Sequence, residues 1–159
     1  MAFRGTRDGA ACLMKRIVSL FILILILSLS LASEAPAQVQ TRIRIIQASN
    51  VGSNIDPSLR DVYGQLGSLF NFTSYRLLRD EILNLSSNRP AEISAHKNIS
   101  LEITLVGQRR DMAELRVMIK RERRDILNTQ IRLSPGRTVL IGGPKHGEGV
   151  AILAFSARF

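Results

Sequence analysis

Three stretches in the second half of the chain alternate apolar and polar residues with a strict period of two. Leu101, Ile103 and Leu105 enclose Glu102 and Thr104. Leu115, Val117 and Ile119 enclose Arg116 and Met118, and Leu127, Thr129, Ile131 and Leu133 enclose Asn128, Gln130 and Arg132. A period of two places every apolar side chain on one face of an extended strand, so each stretch predicts a half-buried strand. The links at 107–111 and 120–125 are hairpin-sized and too short for a crossover helix. Neighbours must therefore run antiparallel, and a one-faced sheet needs something to cover it.

The rest of the downstream chain supplies more strands. Gln40 to Gln47 alternates again, with Ile43 and Ile45 expected inward and Arg42 and Arg44 outward. Phe72 to Leu78 predicts a strand, with Glu81 to Leu85 as its continuation or a short partner, and Ala91 to Ala95 a short, weak one. Val139 to Ile141 and Val150 to Phe155 are more continuously apolar, as strands covered on both faces are. Pro135-Gly136 suits the centre of a type II turn.

One segment departs from this pattern. Asp56-Pro57 has the chemistry of a helix start, and Leu59, Val62, Tyr63 and Leu66 follow helical spacing. Gly64 and Gly67 weaken such a helix and are expected to let its backbone approach a sheet. The fold class is therefore mainly β (α+β): an antiparallel sheet or sandwich of about 7–8 strands with one short helix near 57–70.

The start of the chain has a different character. Arg4, Arg7, Lys15 and Arg16 precede a run from Ile17 to Ala32 that is apolar except for Ser19, Ser28 and Ser30. Ala35-Pro36-Ala37 follows, with small residues at the −3 and −1 positions before Gln38. Basic, apolar, small is the order of a secretory signal peptide, expected over 1–37. An uncleaved anchor is the competing reading, although the run falls short of the ~20 residues that span a bilayer core. Either way Gln38–Phe159 becomes a single exported β-rich domain, periplasmic or outer-membrane-associated in a Gram-negative cell and secreted otherwise. The one cysteine, Cys12, precedes the apolar run, where a lipidated cysteine would follow it. The exported part is thus free of disulfides.

Motif by motif, catalytic readings fall away. His96 and His146 are the only histidines, without the spaced ligands a metal site needs. No serine stands in a Gly-x-Ser-x-Gly elbow. Gly142 to Gly147 has P-loop spacing, but Glu148 and Gly149 occupy the positions of Lys and Ser or Thr, and a strand follows where a helix should open. The expectation is no catalytic residue, no metal and no cofactor, with Gly142–Gly149 as a glycine-rich hairpin loop.

Formal net charge is +9. If the last strands form a simple meander, the connections at 120–125 and 143–148 share one end, and Arg109-Arg110 and Pro135-Gly136 share the other. The first end would gather Lys120, Arg121, Arg123, Arg124, Lys145 and His146 as a contact for an anionic envelope polymer, a lipid head group or an acidic envelope protein. Aromatic residues make up 5% of the chain and tryptophan is absent, which argues against nucleic acid.

Gly136-Arg137-Thr138-Val139-Leu140-Ile141-Gly142-Gly143 resembles a stretch of bacterial secretins, the ring-forming outer-membrane channels of secretion and pilus systems. There a glycine, a short β run and Ile-Gly-Gly occur together, usually followed by Leu, where Pro144 stands here. The resemblance implies envelope β structure and carries no site residues. The ending Leu153-Ala154-Phe155-Ser156-Ala157-Arg158-Phe159 is similar to the last strand of outer-membrane barrels, which need at least eight strands of ~9–11 residues. The expected function is a non-catalytic exported envelope protein that binds or assembles through a sheet edge or the basic loop end, its mature domain not membrane-spanning. The alternatives are an outer-membrane β protein or secretin-associated component, and a hydrolase whose site residues meet only in the fold.

Overall fold

A computed structural model of the chain describes Ser19, residues 38–96 and residues 98–158. The signal peptide expected over 1–37 therefore lies outside the described residues, apart from Ser19. Residues 36–159 form a compact unit by themselves.

Eight strands follow one another: β1 (Gln38–Ser49), β2 (Ser74–Ser86), β3 (Pro90–His96), β4 (Ile99–Arg109), β5 (Met112–Arg121), β6 (Arg124–Leu133), β7 (Thr138–His146) and β8 (Gly149–Arg158). They build two four-stranded antiparallel sheets, ordered β2-β1-β8-β7 and β3-β4-β5-β6. The mainly β class, the strand number and the single short helix agree with the expectation from sequence.

The strand expected from Phe72 starts at Ser74, and it and Glu81–Leu85 prove to be parts of one long β2, with a register shift opposite Ile45/Ile46. The simple meander does not hold, because the chain crosses from the second sheet to the first between β6 and β7. Its turn there is the expected one: Gly136 has φ +73 and the Arg137 N–H donates to the Ser134 carbonyl at 3.1 Å. The secretin-like stretch becomes this turn, β7 and the register shift that begins at Gly142.

The sheets pack face to face over one core. Val39, Ile43 and Ile45 of β1 and Leu153, Phe155 and Ala157 of β8 meet Leu101, Ile103, Leu105, Leu115, Val117 and Leu133 of the second sheet. On the other face of the first sheet lies a second apolar layer. A 3-10 turn, Pro57–Leu59, leads into α1 (Arg60–Leu69), and Leu59, Val62 and Leu66 pack on Ile46, Ala48, Tyr75, Ile152 and Ala154. Strand β8 is thus covered on both faces, as its continuous apolar run requires.

Local chemistry fixes the helix where the sequence places it. The Asp56 carboxylate accepts from the Ser58 backbone N–H at 3.0 Å and from the Leu77 N–H of β2 at 3.3 Å. It caps the helix and ties it to the sheet in one step. At the other end the Tyr75 hydroxyl donates to the Phe70 carbonyl at 2.7 Å. The expectation for the helix glycines is corrected: a Cβ at Gly64 or Gly67 would meet nothing within 4 Å. They face open space and do not bring the helix closer to the sheet.

Candidate functional site

The β5–β6 turn and the β7–β8 turn do share one end of the sandwich. Residues 134–137 between β6 and β7 are too few to carry the chain back along the sandwich, so β7 starts at the end where β6 stops and the end assignment survives the failure of the meander. The β5–β6 turn is Glu122-Arg123, with φ +50 and +67. Both values are positive, as a type I′ hairpin turn demands. The β7–β8 connection is tighter than the expected glycine loop. β7 continues to His146, only Gly147 and Glu148 form the turn, and Gly147 has φ +58.

Of the residues expected to cluster there, the structure joins some and separates others. Arg121 donates to the Lys145 carbonyl at 3.4 Å, so these two segments touch. Arg123 and Arg124 are exposed beside the same turn, among Glu122 and Asp125. Lys120 turns onto the outer face of the second sheet and pairs with Glu102, whose hydrogen bond raises the lysine pKa. His146 is half-buried and lines an apolar crevice between the sheets with Leu78, Ile99, Leu101 and Pro144. Its carbonyl accepts from the Gln47 side chain at 3.3 Å. The result is a mixed-charge end in which Glu122, Asp125 and Glu148 stand among the cations.

The glycines of this segment have structural work. A Cβ at Gly149 would lie 2.0 Å from the Ala48 carbonyl oxygen, and one at Gly143 would lie 3.0 Å from that of Ala151. Glycine there lets neighbouring backbones approach, which is a packing requirement.

Sequence reasoning missed two features. The first is Arg44. It is on the outer face of β1, as alternation requires, but it is 2% exposed beneath α1. Its two guanidinium nitrogens donate to the two Asp61 carboxylate oxygens at 2.7 and 2.9 Å. Beside it, Arg42 holds Asp80 of β2 through two hydrogen bonds. Each arginine keeps its carboxylate below the usual pKa range, Asp61 through Arg44 and Asp80 through Arg42. Both acids therefore stay ionised near neutral pH, which suits an electrostatic clamp and not proton transfer. The uncovered half of this face is a polar groove of about 560 Å³, also lined by Gln40, Thr138, Ser156 and Arg158.

The second is the extent of the other end of the sandwich, where only Arg109-Arg110 and Pro135-Gly136 were expected. Arg89, Arg109, Arg110, Arg137 and Arg158 are all exposed there. The same alternation of connections that places Arg109-Arg110 at this end also places there the β2–β3 turn with Arg89, the β6–β7 turn with Arg137 and the last strand's Arg158.

Among the described residues no cluster of His, Cys, Asp and Glu could hold a metal ion, and no helix is long and apolar enough to cross a membrane. No family model, curated protein or solved structure matches the chain.

Proposed function

We propose that Gln38–Phe159 is a non-catalytic exported domain of the cell envelope that acts by binding or assembly, through the open edge of β6. The observation that carries this reading is the difference between β6 and the other edge strands. β2 is broken by a register shift and bears Arg76, Arg79, Asp80 and Glu81. β3 begins with Pro90 and shifts register near its end. β7 contains Pro144 within its own shift. Such breaks, prolines and charges discourage a further strand from pairing.

From Leu127 to Leu133, β6 has no break and no proline, and its one charge, Arg132, lies 3.7 Å from Glu114 of the neighbouring β5. Its ladder with β5 runs unbroken from Leu127↔Ile119 to Leu133↔Ala113, and its other side is the free edge of the sheet. An extended segment of a partner can add there, with backbone hydrogen bonds for affinity.

Photocrosslinking in intact cells tests this. A photoreactive residue at Asn128 or Gln130 should form a discrete adduct with an envelope protein, and one at Arg79 on the β2 edge should not. Adducts from both edges alike, or from neither, would remove the reading. The non-catalytic part is tested by assaying turnover of envelope polymers, and turnover lost on His146→Ala would overturn it.

A further inference from the structure

We propose that the end of the sandwich at which the chain enters β1 docks on an anionic membrane surface through Arg89, Arg109, Arg110, Arg137 and Arg158. Strand register puts these residues together. Gln38, the first residue of β1, lies opposite Ser86 at the end of β2, and Gln40 lies opposite Arg158. Thr138 lies opposite Ser156, so the turn holding Arg137 is at the same end. The Asn88 N–H donates to the Leu105 carbonyl at 2.9 Å, which binds the turn carrying Arg89 to β4. Arg109 lies opposite Met112 across the β4–β5 turn, with Ala113 opposite Leu133.

None of these arginines forms an ion pair with a described residue. Nearby acids are few. Asp61 and Asp80, which share a groove with Arg158, are held by Arg44 and Arg42, and Glu114 is 3.7 Å from Arg132, which leaves Asp111 in the β4–β5 turn. At the opposite end, by contrast, Glu122, Asp125 and Glu148 alternate with the cations. Among the described residues, cations therefore outnumber acids by more at this end than at the opposite one, and they are carried here by arginine. The planar guanidinium fork matches phosphate oxygens in pairs, which favours phospholipid head groups.

Chain length points to the same occupant. Only Ser33 to Ala37 separate the apolar run ending at Ala32 from Gln38. Five residues span at most roughly 18 Å when fully extended. A bilayer that holds the apolar run during export thus has the arginine end close to its surface. Once the run is removed, the arginines retain the domain there. This inference rests on the exported reading proposed above but not on the β6 edge, so loss of edge crosslinks with vesicle binding intact removes the edge alone, and the reverse removes this surface alone.

The test is co-sedimentation of Gln38–Phe159 with lipid vesicles. The core residues of this fragment all fall between Val39 and Ala157, so it carries its complete core. It should bind vesicles containing phosphatidylglycerol, release with added salt, and ignore pure phosphatidylcholine. Each arginine changed to glutamine at this end should weaken binding roughly fivefold. The set R109Q, R110Q and R137Q should abolish it, and R121Q, R123Q and R124Q at the other end should leave it intact. Thermal midpoints of both sets check that the fold is retained, and single substitutions replace any set that unfolds. No binding to phosphatidylglycerol, equal losses from both sets, or equal displacement by soluble dextran sulfate would overturn the proposal.

Discussion

The outer faces of the two sheets are built differently. The first sheet carries α1 and is packed on both sides; the second is packed on one side and bears a polar face toward solvent. On the first sheet, Ile46, Ala48, Ile152 and Ala154 are buried beneath the helix and Arg44 is buried with them. On the second, Glu102, Arg116, Met118 and Lys120 occupy the corresponding outer positions, exposed or half-buried. A position pointing away from the main core is thus structural in one sheet and nearly free in the other. Substitutions should separate the two.

The largest contrast is expected between two glycines. Gly149→Ala in the first sheet drives a methyl into the Ala48 carbonyl oxygen, at 2.0 Å, and forces β1 and β8 apart. It should lower stability by about 4 kcal/mol. Gly107→Ala in the second sheet brings its methyl to ordinary contact with Glu114, at 3.6 Å, and should be tolerated. Urea unfolding midpoints of the two variants decide this. Similar losses would mean that β1 and β8 yield more readily than their register implies.

Next come the outer layers themselves. Leu66 is fully buried between α1 and the sheet, so Leu66→Ala removes apolar contact and leaves a cavity, for about 3 kcal/mol. Met118 on the bare face is half-exposed, and Met118→Ala should change stability by less than about 1 kcal/mol. The same unfolding experiment measures both. A loss at Met118 as large as that at Leu66 would show that something covers the second sheet.

The buried ion pair gives a smaller effect with a distinctive pH signature. Asp61→Asn strands the Arg44 guanidinium, which is 2% exposed. A fully buried pair broken from one side costs about 3–5 kcal/mol, but Asp61 is 57% exposed and water reaches it, so about 2 kcal/mol is expected. Arg44→Met removes the charge itself and should fall within about 1 kcal/mol of the parent. Asp61 and Asp80 both have lowered pKa values in the folded state. The unfolded chain therefore binds protons first as pH falls. The stabilisation is complete above the unfolded carboxylate pKa of about 4 and is lost as pH drops through the folded values. Unfolding midpoints followed from about pH 7 to about pH 2 should fall less for Asp61→Asn than for the parent.

The same contrast explains what could be read from the sequence. Strands of the second sheet show one apolar face and one polar face, so Leu101–Leu105, Leu115–Ile119 and Leu127–Leu133 were legible residue by residue. Asp56-Pro57 announced the helix because capping chemistry is local. Arg44 was not legible. Its alternation with Ile43 and Ile45 is the signature of a solvent-facing position, and only the tertiary placement of Asp61 above it makes burial tolerable. Val150 to Phe155 signalled burial on both faces, but not that a helix supplies the second cover. For the charged ends, turn parity was readable. The turning of Lys120 toward Glu102, and the half-burial of His146, depend on side-chain packing that spacing does not encode.

The smallest expected effect tests whether the bare face is as loosely constrained as its exposure implies. Lys120 and Glu102 pair across β4 and β5, with side chains 30% and 20% exposed. Exposed and half-exposed pairs lose in side-chain freedom and screening most of what they gain in attraction. Glu102→Gln should leave the unfolding midpoint at neutral pH indistinguishable from the parent. The pair's pH dependence has the opposite sign to that of Asp61, because the hydrogen bond to Glu102 raises the Lys120 pKa. Its contribution is present in full below the unfolded lysine value and disappears as pH rises through the folded one. If Glu102→Gln shifts the midpoint at neutral pH, and the shift vanishes in strong alkali, the outer face of the second sheet is held in place by its own charges. The two sheets would then differ in the kind of cover they carry, helix on one and ion pairs on the other.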